Sequence, residues 1–212
     1  MPLFARTRAL PPMRFPAART FGVVVALLAA ALVLSACGPA TPKFKGSDVT
    51  GSAFGRDFAL VDVDGKPRTL ADYRGKAVVL FFGYTQCPDV CPTTLSTLAE
   101  AMKQLGPDAD RVQGVFVTVD PERDTAELLK QYVPAFDPRF VGLRGDAAQV
   151  EAVAKEFRII FQKVPGRTPE TYTVDHSAGI FLFDPAGRLR VYEGHGQAPD
   201  VLAHDLRLLL AS

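Results

Sequence analysis

An unbroken apolar run at residues 77–82, Ala-Val-Val-Leu-Phe-Phe, ends shortly before two cysteines, Cys87 and Cys91. A short run that is apolar at every position is typical of a strand buried on both faces of a sheet. Beyond the cysteines, leucine and methionine side chains recur at helical spacing over residues 95–105, and Gly106-Pro107 ends that pattern. The sequence therefore predicts a central strand that leads through a cysteine-bearing turn into a helix.

Strand and helix patterns continue to alternate along the rest of the chain. Residues 58–63 alternate toward an Asp64-Gly65 turn, which is a hairpin signal. Further strands are predicted at residues 112–119, 180–183 and 189–191, and further helices at residues 125–133, 147–157 and 201–210. An Asp-Pro-Ala-Gly turn joins the last two strands. This order predicts an α/β fold with a mixed sheet, flanked by helices, and a terminal hairpin.

The composition sets limits on size and partners. Of the 212 residues 48% are apolar, and the formal net charge is +1. That content is enough for one packed core, and a nearly neutral chain has no overall field that would attract nucleic acid. We expect a single folded domain over residues 53–212 and no nucleic-acid partner.

The N-terminal segment has the layout of an export signal. Four arginines and no acidic residue precede an apolar stretch at residues 21–34, which is shorter than the roughly 20 residues of a membrane-spanning helix. The stretch ends in Leu-Ser-Ala-Cys, which resembles the bacterial lipobox, so Cys37 is predicted to be lipidated and residues 1–36 to be removed. A start at Met13 would give a signal of more usual length than a start at Met1, and we expect the former.

The predicted lipidation also defines an address. Residues 38–52 are rich in Gly, Pro, Ser, Thr and Lys, so residues 37–52 are predicted to be a lipidated cysteine followed by a flexible tether. We therefore expect an exported bacterial lipoprotein, held at the membrane with its domain facing the periplasm or the cell exterior.

The remaining cysteines, Cys87 and Cys91, each precede a proline, which disfavours helical backbone at both thiols. We expect Cys87 to open a type I turn and Cys91 to be the N-cap of the following helix, with Pro92 at its first position. Helix amides near the sulfurs would stabilise thiolates. Because a crosslink across so short a loop stabilises a fold little, the sequence predicts a functional thiol pair, for redox chemistry or metal binding.

Three histidines are available as further ligands. His204 lies in the predicted terminal helix and receives no role, whereas His195 lies in a Gly-His-Gly loop and is a reserve ligand. His176 directly precedes an apolar strand at residues 178–183. In a thioredoxin-like layout the segment that enters this strand faces the helix N-terminus that carries the cysteines, so we expect His176 beside the thiols.

Three segments in order resemble the Sco/SenC family of copper chaperones for cytochrome oxidase. They are residues 82–92 around the cysteines, Val-Thr-Val-Asp-Pro-Glu-Arg-Asp-Thr at residues 117–125, and Val-Asp-His at residues 174–176. The resemblance covers residues 53–212 and implies a thioredoxin fold. It also implies that Cys87, Cys91 and His176 bind copper, and it implies two partners: the copper-site subunit of the oxidase as recipient, and possible donation by another copper chaperone.

The ligand chemistry agrees with this implication. Two soft thiolates and an imidazole suit Cu(I), and Cu(II) leads the divalent affinity series, whereas structural zinc usually takes four protein ligands. One departure is Gln86, where many family members carry histidine. This difference leaves the three implied ligands intact and puts in doubt only an accessory role of that position. Asp120 or Asp175 could orient the imidazole or could only cap a loop.

Two rival functions use the same thiols. A thiol-disulfide oxidoreductase would use Cys87 and Cys91 to reduce the copper-ligating cysteines of a target protein, so whether the chain is an enzyme stays open. Against it stand the Cys-x₃-Cys spacing and a His-Ser step where thioredoxins present a cis-proline. A peroxidase would need one activated cysteine with a partner arginine, and it ranks last.

Overall fold

The computed structural model describes residues 43–168 and 171–211, and within them the chain forms ten strands and four α-helices. The strands are β1 (Ser47–Asp48), β2 (Leu60–Asp62), β3 (Pro67–Arg68), β4 (Ala77–Gly83), β5 (Val112–Thr118), β6 (Phe140–Arg144), β7 (Phe161–Val164), β8 (Thr173–His176), β9 (Ile180–Phe183) and β10 (Leu189–Glu193). The helices are α1 (Val90–Leu105), α2 (Ala126–Tyr132), α3 (Ala147–Glu156) and α4 (Pro199–Leu210). Short 3-10 turns occupy Leu70–Tyr73, Gly106–Arg111 and Val133–Ala135.

The main sheet has eight strands in the order β1-β10-β9-β4-β5-β6-β2-β3. Strands β4, β5 and β6 run parallel, and the other neighbouring strands pair antiparallel. Every residue of β4 is buried, as the apolar run predicts. Strands β7 and β8 form a separate two-stranded sheet, the β7–β8 hairpin. The predicted α/β fold with a mixed sheet flanked by helices is confirmed.

Two strands of the main sheet have weak sequence signals. Strand β6, Phe-Val-Gly-Leu-Arg, pairs in parallel with β5, yet a glycine interrupts its apolar run. A side chain at Gly142 would begin 3.1 Å from Leu129 Cβ, so the glycine lets α2 pack closely on the strand. Strand β1 is only two residues long, and both are exposed. Neither strand can be predicted from side-chain periodicity.

The folded unit begins earlier than the predicted boundary at residue 53. The backbone amides of Lys45 and Gly46 each donate to the carboxylate of Asp205 at 2.9 Å, and β1 pairs with β10. These contacts are made by main-chain groups, so they cannot be predicted from the side-chain composition of the segment, which is polar. The proposed tether therefore reaches no further than residue 42. Cys37 and the predicted signal lie outside the described residues, and in the described ranges no helix is long and apolar enough to cross a membrane.

A pair of buried carboxyl groups lies where β1 meets β10. Glu193 and Asp205 are both fully buried, and neither oxygen of an ionised Glu193 finds a hydrogen-bond donor among the described groups. Asp205 accepts hydrogen bonds from the Lys45 and Gly46 amides and from His204 Nδ1. Burial, and then the hydrogen bond and charge of Asp205, raise the pKa of Glu193 to about 8. A protonated Glu193 can donate to Asp205, which satisfies the pair.

We predict that this proton makes the stability of the domain depend on pH. The pKa of Glu193 rises from 4.5 to about 8 on folding, so its contribution is complete below the lower value and is lost as pH rises through about 8. The free energy of unfolding should fall by roughly 1–3 kcal/mol, the cost of an unpaired buried group, between pH 5 and 9. Denaturant unfolding across this range measures it.

The matched control is Glu193→Gln, whose amide donates to Asp205 without titrating. Its free energy of unfolding should change less over the same range than that of the wild type. An equal decline in both proteins would mean that another group is responsible.

Candidate metal centre

Helix α1 begins directly after the cysteine-bearing turn. Asp89 is its N-cap, and Cys91 lies in the first helical turn, whereas Cys87 precedes the helix. The prediction that Cys91 is the N-cap is therefore wrong by two residues. Backbone amides in the first helical turn have no partner within the helix, so Pro92 is tolerated there. A following proline only disfavours helical backbone at Cys91 and does not forbid it.

The two cysteines carry free thiols in different surroundings. Cys87 is half-buried, and its sulfur accepts a hydrogen bond of 3.4 Å from the Cys91 amide. Cys91 is fully buried, and its sulfur packs on Gly83 at the end of β4, where an added Cβ would lie 2.8 Å from Sγ. Burial raises the pKa of Cys91 far above its usual range. The expected stabilisation of both thiolates is thus wrong for Cys91, because desolvation outweighs the helix N-terminus.

His176 ends strand β8 and faces the buried thiol. Its Nε2 lies 3.4 Å from Cys91 Sγ, and its Nδ1 lies 3.0 Å from the Ser177 carbonyl oxygen. A carbonyl only accepts, so Nδ1 carries the proton and Nε2 has a free lone pair directed at the cysteines. Burial lowers the pKa of His176, so the imidazole is neutral at pH 7. Phe81 and Tyr84 hold the ring edge-on at centroid distances of 6.3 and 6.0 Å.

The structure thus brings together the three predicted ligands. Sγ of Cys87, Sγ of Cys91 and a ring nitrogen of His176 lie within 4.8 Å of one another, and this is the only such group found in the described chain. Cys87 and His176 line a cleft of about 330 Å³ that opens to solvent. His195, the predicted reserve ligand, is exposed and does not belong to the group.

The donor set fits a soft metal ion. Two sulfurs and one neutral imidazole suit Cu(I) and leave one side of the ion open, whereas structural zinc normally has four protein ligands. Neither Asp120 nor Asp175 is the hydrogen-bond partner of the imidazole, since the Ser177 carbonyl has that place. Both aspartates are therefore excluded as direct partners of Nδ1.

Hydrogen bonds to the buried carboxyl group of Asp124, which the sequence did not predict, support the cysteine loop. Asp124 is fully buried, and its carboxylate accepts hydrogen bonds from the Thr85 amide and hydroxyl and from the Thr118 hydroxyl. Burial, the largest influence, raises the pKa of Asp124. This carboxyl group joins the residues before Cys87 to the end of β5. The sequence signal for this contact is Asp124 itself, which lies in the 117–125 segment that resembles the family.

The sequence profile described as SCO1/SenC matches residues 47–211. The chain belongs to the SCO1/SenC family. Mouse "Protein SCO2 homolog, mitochondrial" is 39% identical over 158 residues, which are 74% of this chain and 62% of that protein. The human homolog is also 39% identical, with 59% of its length covered. The chain thus spans about three fifths of the length of these SCO relatives.

Solved structures of the family share the fold. Bradyrhizobium japonicum ScoI, determined with copper bound, has a TM-score of 0.68 and 42% identity, and the match covers 74% of this chain and all of that one. The solution structure of apo Sco1 from Thermus thermophilus has a TM-score of 0.71 and 41% identity, with 81% and 99% of the two chains covered. The architecture described above is therefore that of SCO1/SenC proteins.

We predict that Gly83→Ala disturbs the buried thiol. The new methyl group would occupy the space of Cys91 Sγ and of the Phe116 ring, each 2.8 Å away, so the sulfur must shift. Overpacking should cost roughly 1–3 kcal/mol of stability. Affinity for Cu(I) as a probe ion should fall about tenfold, which is ~1.4 kcal/mol. Thermal unfolding and a Cu(I) competition titration measure the two effects.

Gly194→Ala is the control, because nothing lies within 4 Å of the added atom. It should leave both quantities unchanged. Wild-type stability and Cu(I) affinity in Gly83→Ala would show that the Cys91 sulfur is not held against the strand.

Proposed function

We propose that this protein is a membrane-anchored copper chaperone that delivers copper to a respiratory cytochrome oxidase or matures its copper site. The observation that carries the proposal is the group formed by Cys87, Cys91 and His176, whose ligand atoms lie within 4.8 Å of one another. Support also comes from ScoI of B. japonicum, a copper-bound structure that is 42% identical. The oxidase as recipient follows from the resemblance of the three sequence motifs to chaperones of that enzyme.

Copper is the cargo of such a protein, and the site suits both holding and release. The sulfurs of Cys87 and Cys91 and Nε2 of His176 would bind the ion from one side. The open side faces the cleft, so ligands of a partner can bind before the protein's own ligands leave. The raised pKa of Cys91 means that loading must displace a proton, which couples copper affinity to pH. Another copper chaperone could supply the metal by the same exchange in reverse.

The second candidate is a thiol-disulfide oxidoreductase, and the position of the two thiols favours it. Half-buried Cys87 could attack a disulfide of a target protein, and Cys91 could then displace the target thiol and form the Cys87–Cys91 disulfide. The target disulfide would be reduced and the cysteine pair oxidised. Such chemistry needs no third ligand, so it leaves the placement of His176 Nε2 at 3.4 Å from Cys91 Sγ without a use.

We predict that His176→Ala separates the two functions. Losing the imidazole should weaken Cu(I) binding more than tenfold, about 1.4 kcal/mol, and should reduce Cu(II) binding further, because two thiolates support Cu(I) better than Cu(II). Thiol-disulfide exchange should largely persist. Cu(I) competition, Cu(II) absorption and reductase turnover measure the three properties.

Two comparisons complete this test. Cys87→Ser or Cys91→Ser should abolish both copper binding and reductase turnover, because a single thiol can neither complete the metal site nor form the internal disulfide. His195→Ala, which removes an exposed imidazole, should leave both intact. Wild-type binding of both copper forms by His176→Ala would contradict the chaperone and favour the reductase.

The membrane address rests on the sequence of the export signal and lipobox. We predict that Cys37→Ser moves the protein from the membrane fraction to the soluble fraction, because the cysteine that carries the lipid is gone. The purified variant should unfold like the wild type, since the packed unit begins at Lys43. Membrane fractionation is the measurement. A variant that stays firmly in the membrane fraction would show that the apolar segment itself is the anchor.

A further inference from the structure

We propose that Arg123 is a positioning residue that holds the His176-bearing β7–β8 hairpin against the cysteine loop. This inference deepens the proposed copper function and rests on it. The hairpin has no strand partner in the main sheet, so the ladder of the main sheet does not determine where His176 lies. Only residues 177–179 join His176 to β9, so side-chain contacts between the hairpin and the cysteine loop help to set the distance from the imidazole to the thiols.

The guanidinium of Arg123 bridges three segments. Its Nη1 donates to the Tyr172 carbonyl at 2.8 Å and to Gln86 Oε1 at 3.1 Å. Its Nε donates to Asp120 at 2.5 Å. Gln86 directly precedes Cys87, and Tyr172 directly precedes β8. One nitrogen thus joins the residue before the first cysteine to the residue before the strand that carries the histidine.

Tyr172 is held at three points. Its carbonyl accepts from Arg123, its ring lies 3.6 Å from the guanidinium carbon, and its hydroxyl donates to Asp120 at 2.7 Å. Asp120 is fully buried, which fixes the far end of this arrangement. A planar guanidinium can stack on a ring and donate along its edge at once, which the ammonium of lysine cannot do.

Other contacts of the hairpin determine its position less well. Val174 is buried and contributes apolar packing, which is not directional. Lys163 and Glu122 form an ion pair at 2.6 Å, but both side chains are about half exposed, so the pair contributes little. Hydrogen bonds between Ile160 and Ser177 close the base of the hairpin. Tyr84, which follows β4, makes a hydrogen bond to the Val174 backbone, and Arg123 adds hydrogen bonds to both the hairpin and the cysteine loop.

This arrangement gives Gln86 a structural role. Its amide oxygen accepts from Arg123, a position that a protonated imidazole could not fill because it has no acceptor. The bond ties the cysteine loop to the same nitrogen of Arg123 that donates to the hairpin. We therefore expect the arginine to act on metal binding through His176 and not by touching the ion.

The experiment measures Cu(I) affinity by competition in the full chain for wild type, Arg123→Ala, His176→Ala and the double variant. Arg123→Ala should lose about tenfold in affinity in the wild-type background and less than about twofold when His176 is already absent, since the two residues act as one unit. A similar loss in both backgrounds would overturn the proposal, and so would a loss below about twofold in the wild-type background.

A metal-free readout separates this proposal from the proposed function. Amide hydrogen exchange over Thr173–His176 should accelerate about tenfold in metal-free Arg123→Ala, with the global unfolding midpoint retained. If wild-type protein binds no copper, the chaperone proposal fails, while unchanged exchange in Arg123→Ala alone would refute the role of Arg123.

Two further variants guard against misfolding and nonspecific charge effects. Arg123→Lys keeps the charge beside Asp120 but loses the planar fork, so it should show the same direction of change and serves if Arg123→Ala does not fold. Arg188→Ala removes an exposed arginine that pairs with Asp184 in the β9–β10 turn, and it should leave affinity and exchange unchanged. Wild-type affinity and exchange in Arg123→Lys would refute the need for a guanidinium.

Discussion

The contact between the Cys91 sulfur and Gly83 determines how the rest of the site is built. Strand β4 is buried at every residue and ends in Gly83. Because this glycine has no side chain, the Cys91 sulfur in the first turn of α1 can pack directly on the strand. That position removes Cys91 from water and keeps its thiol protonated in the metal-free protein. It also places the sulfur where His176 Nε2 can reach it at 3.4 Å. The strand end thus fixes one ligand, and the others are arranged around it.

Burial and metal affinity oppose each other at this sulfur. Desolvation disfavours the thiolate, which is the form that binds a soft cation, but a bound cation restores the favourable charge interaction that water would otherwise give. Half-buried Cys87 accepts a hydrogen bond from the Cys91 amide, and its side chain lines the cleft. The pair therefore consists of one buried sulfur and one that is partly exposed to solvent. Under the proposed function, exchange with a partner would therefore begin at Cys87 while Cys91 stays covered.

Side-chain patterns predicted the parts of the fold that depend on burial. The run that forms β4 is continuous and apolar, that of β5 is mostly apolar, and the predicted helices around α1, α3 and α4 show one apolar face. Strand β1 and the docking of Lys45 were missed because main-chain bonds hold them. The three ligands were predicted from motif and layout. The sequence did not predict the start of α1, the protonated state of Cys91 or the hydrogen bond from His176 Nδ1. These depend on which groups the fold buries and on where it places backbone carbonyls.

The three proposed ligands lie on two elements that are attached to the main sheet in different ways. Both cysteines belong to the junction of β4 and α1, within the eight-stranded sheet and its helices, whereas His176 belongs to a hairpin that pairs only with itself among the described strands. A shift of the hairpin would change the distance from the imidazole to the sulfurs without breaking a hydrogen bond of the main sheet. The thiols would keep their geometry through such a shift. Under the proposed copper function, moving the imidazole away would weaken Cu(II) binding more than Cu(I) binding, because two thiolates support Cu(I) better than Cu(II).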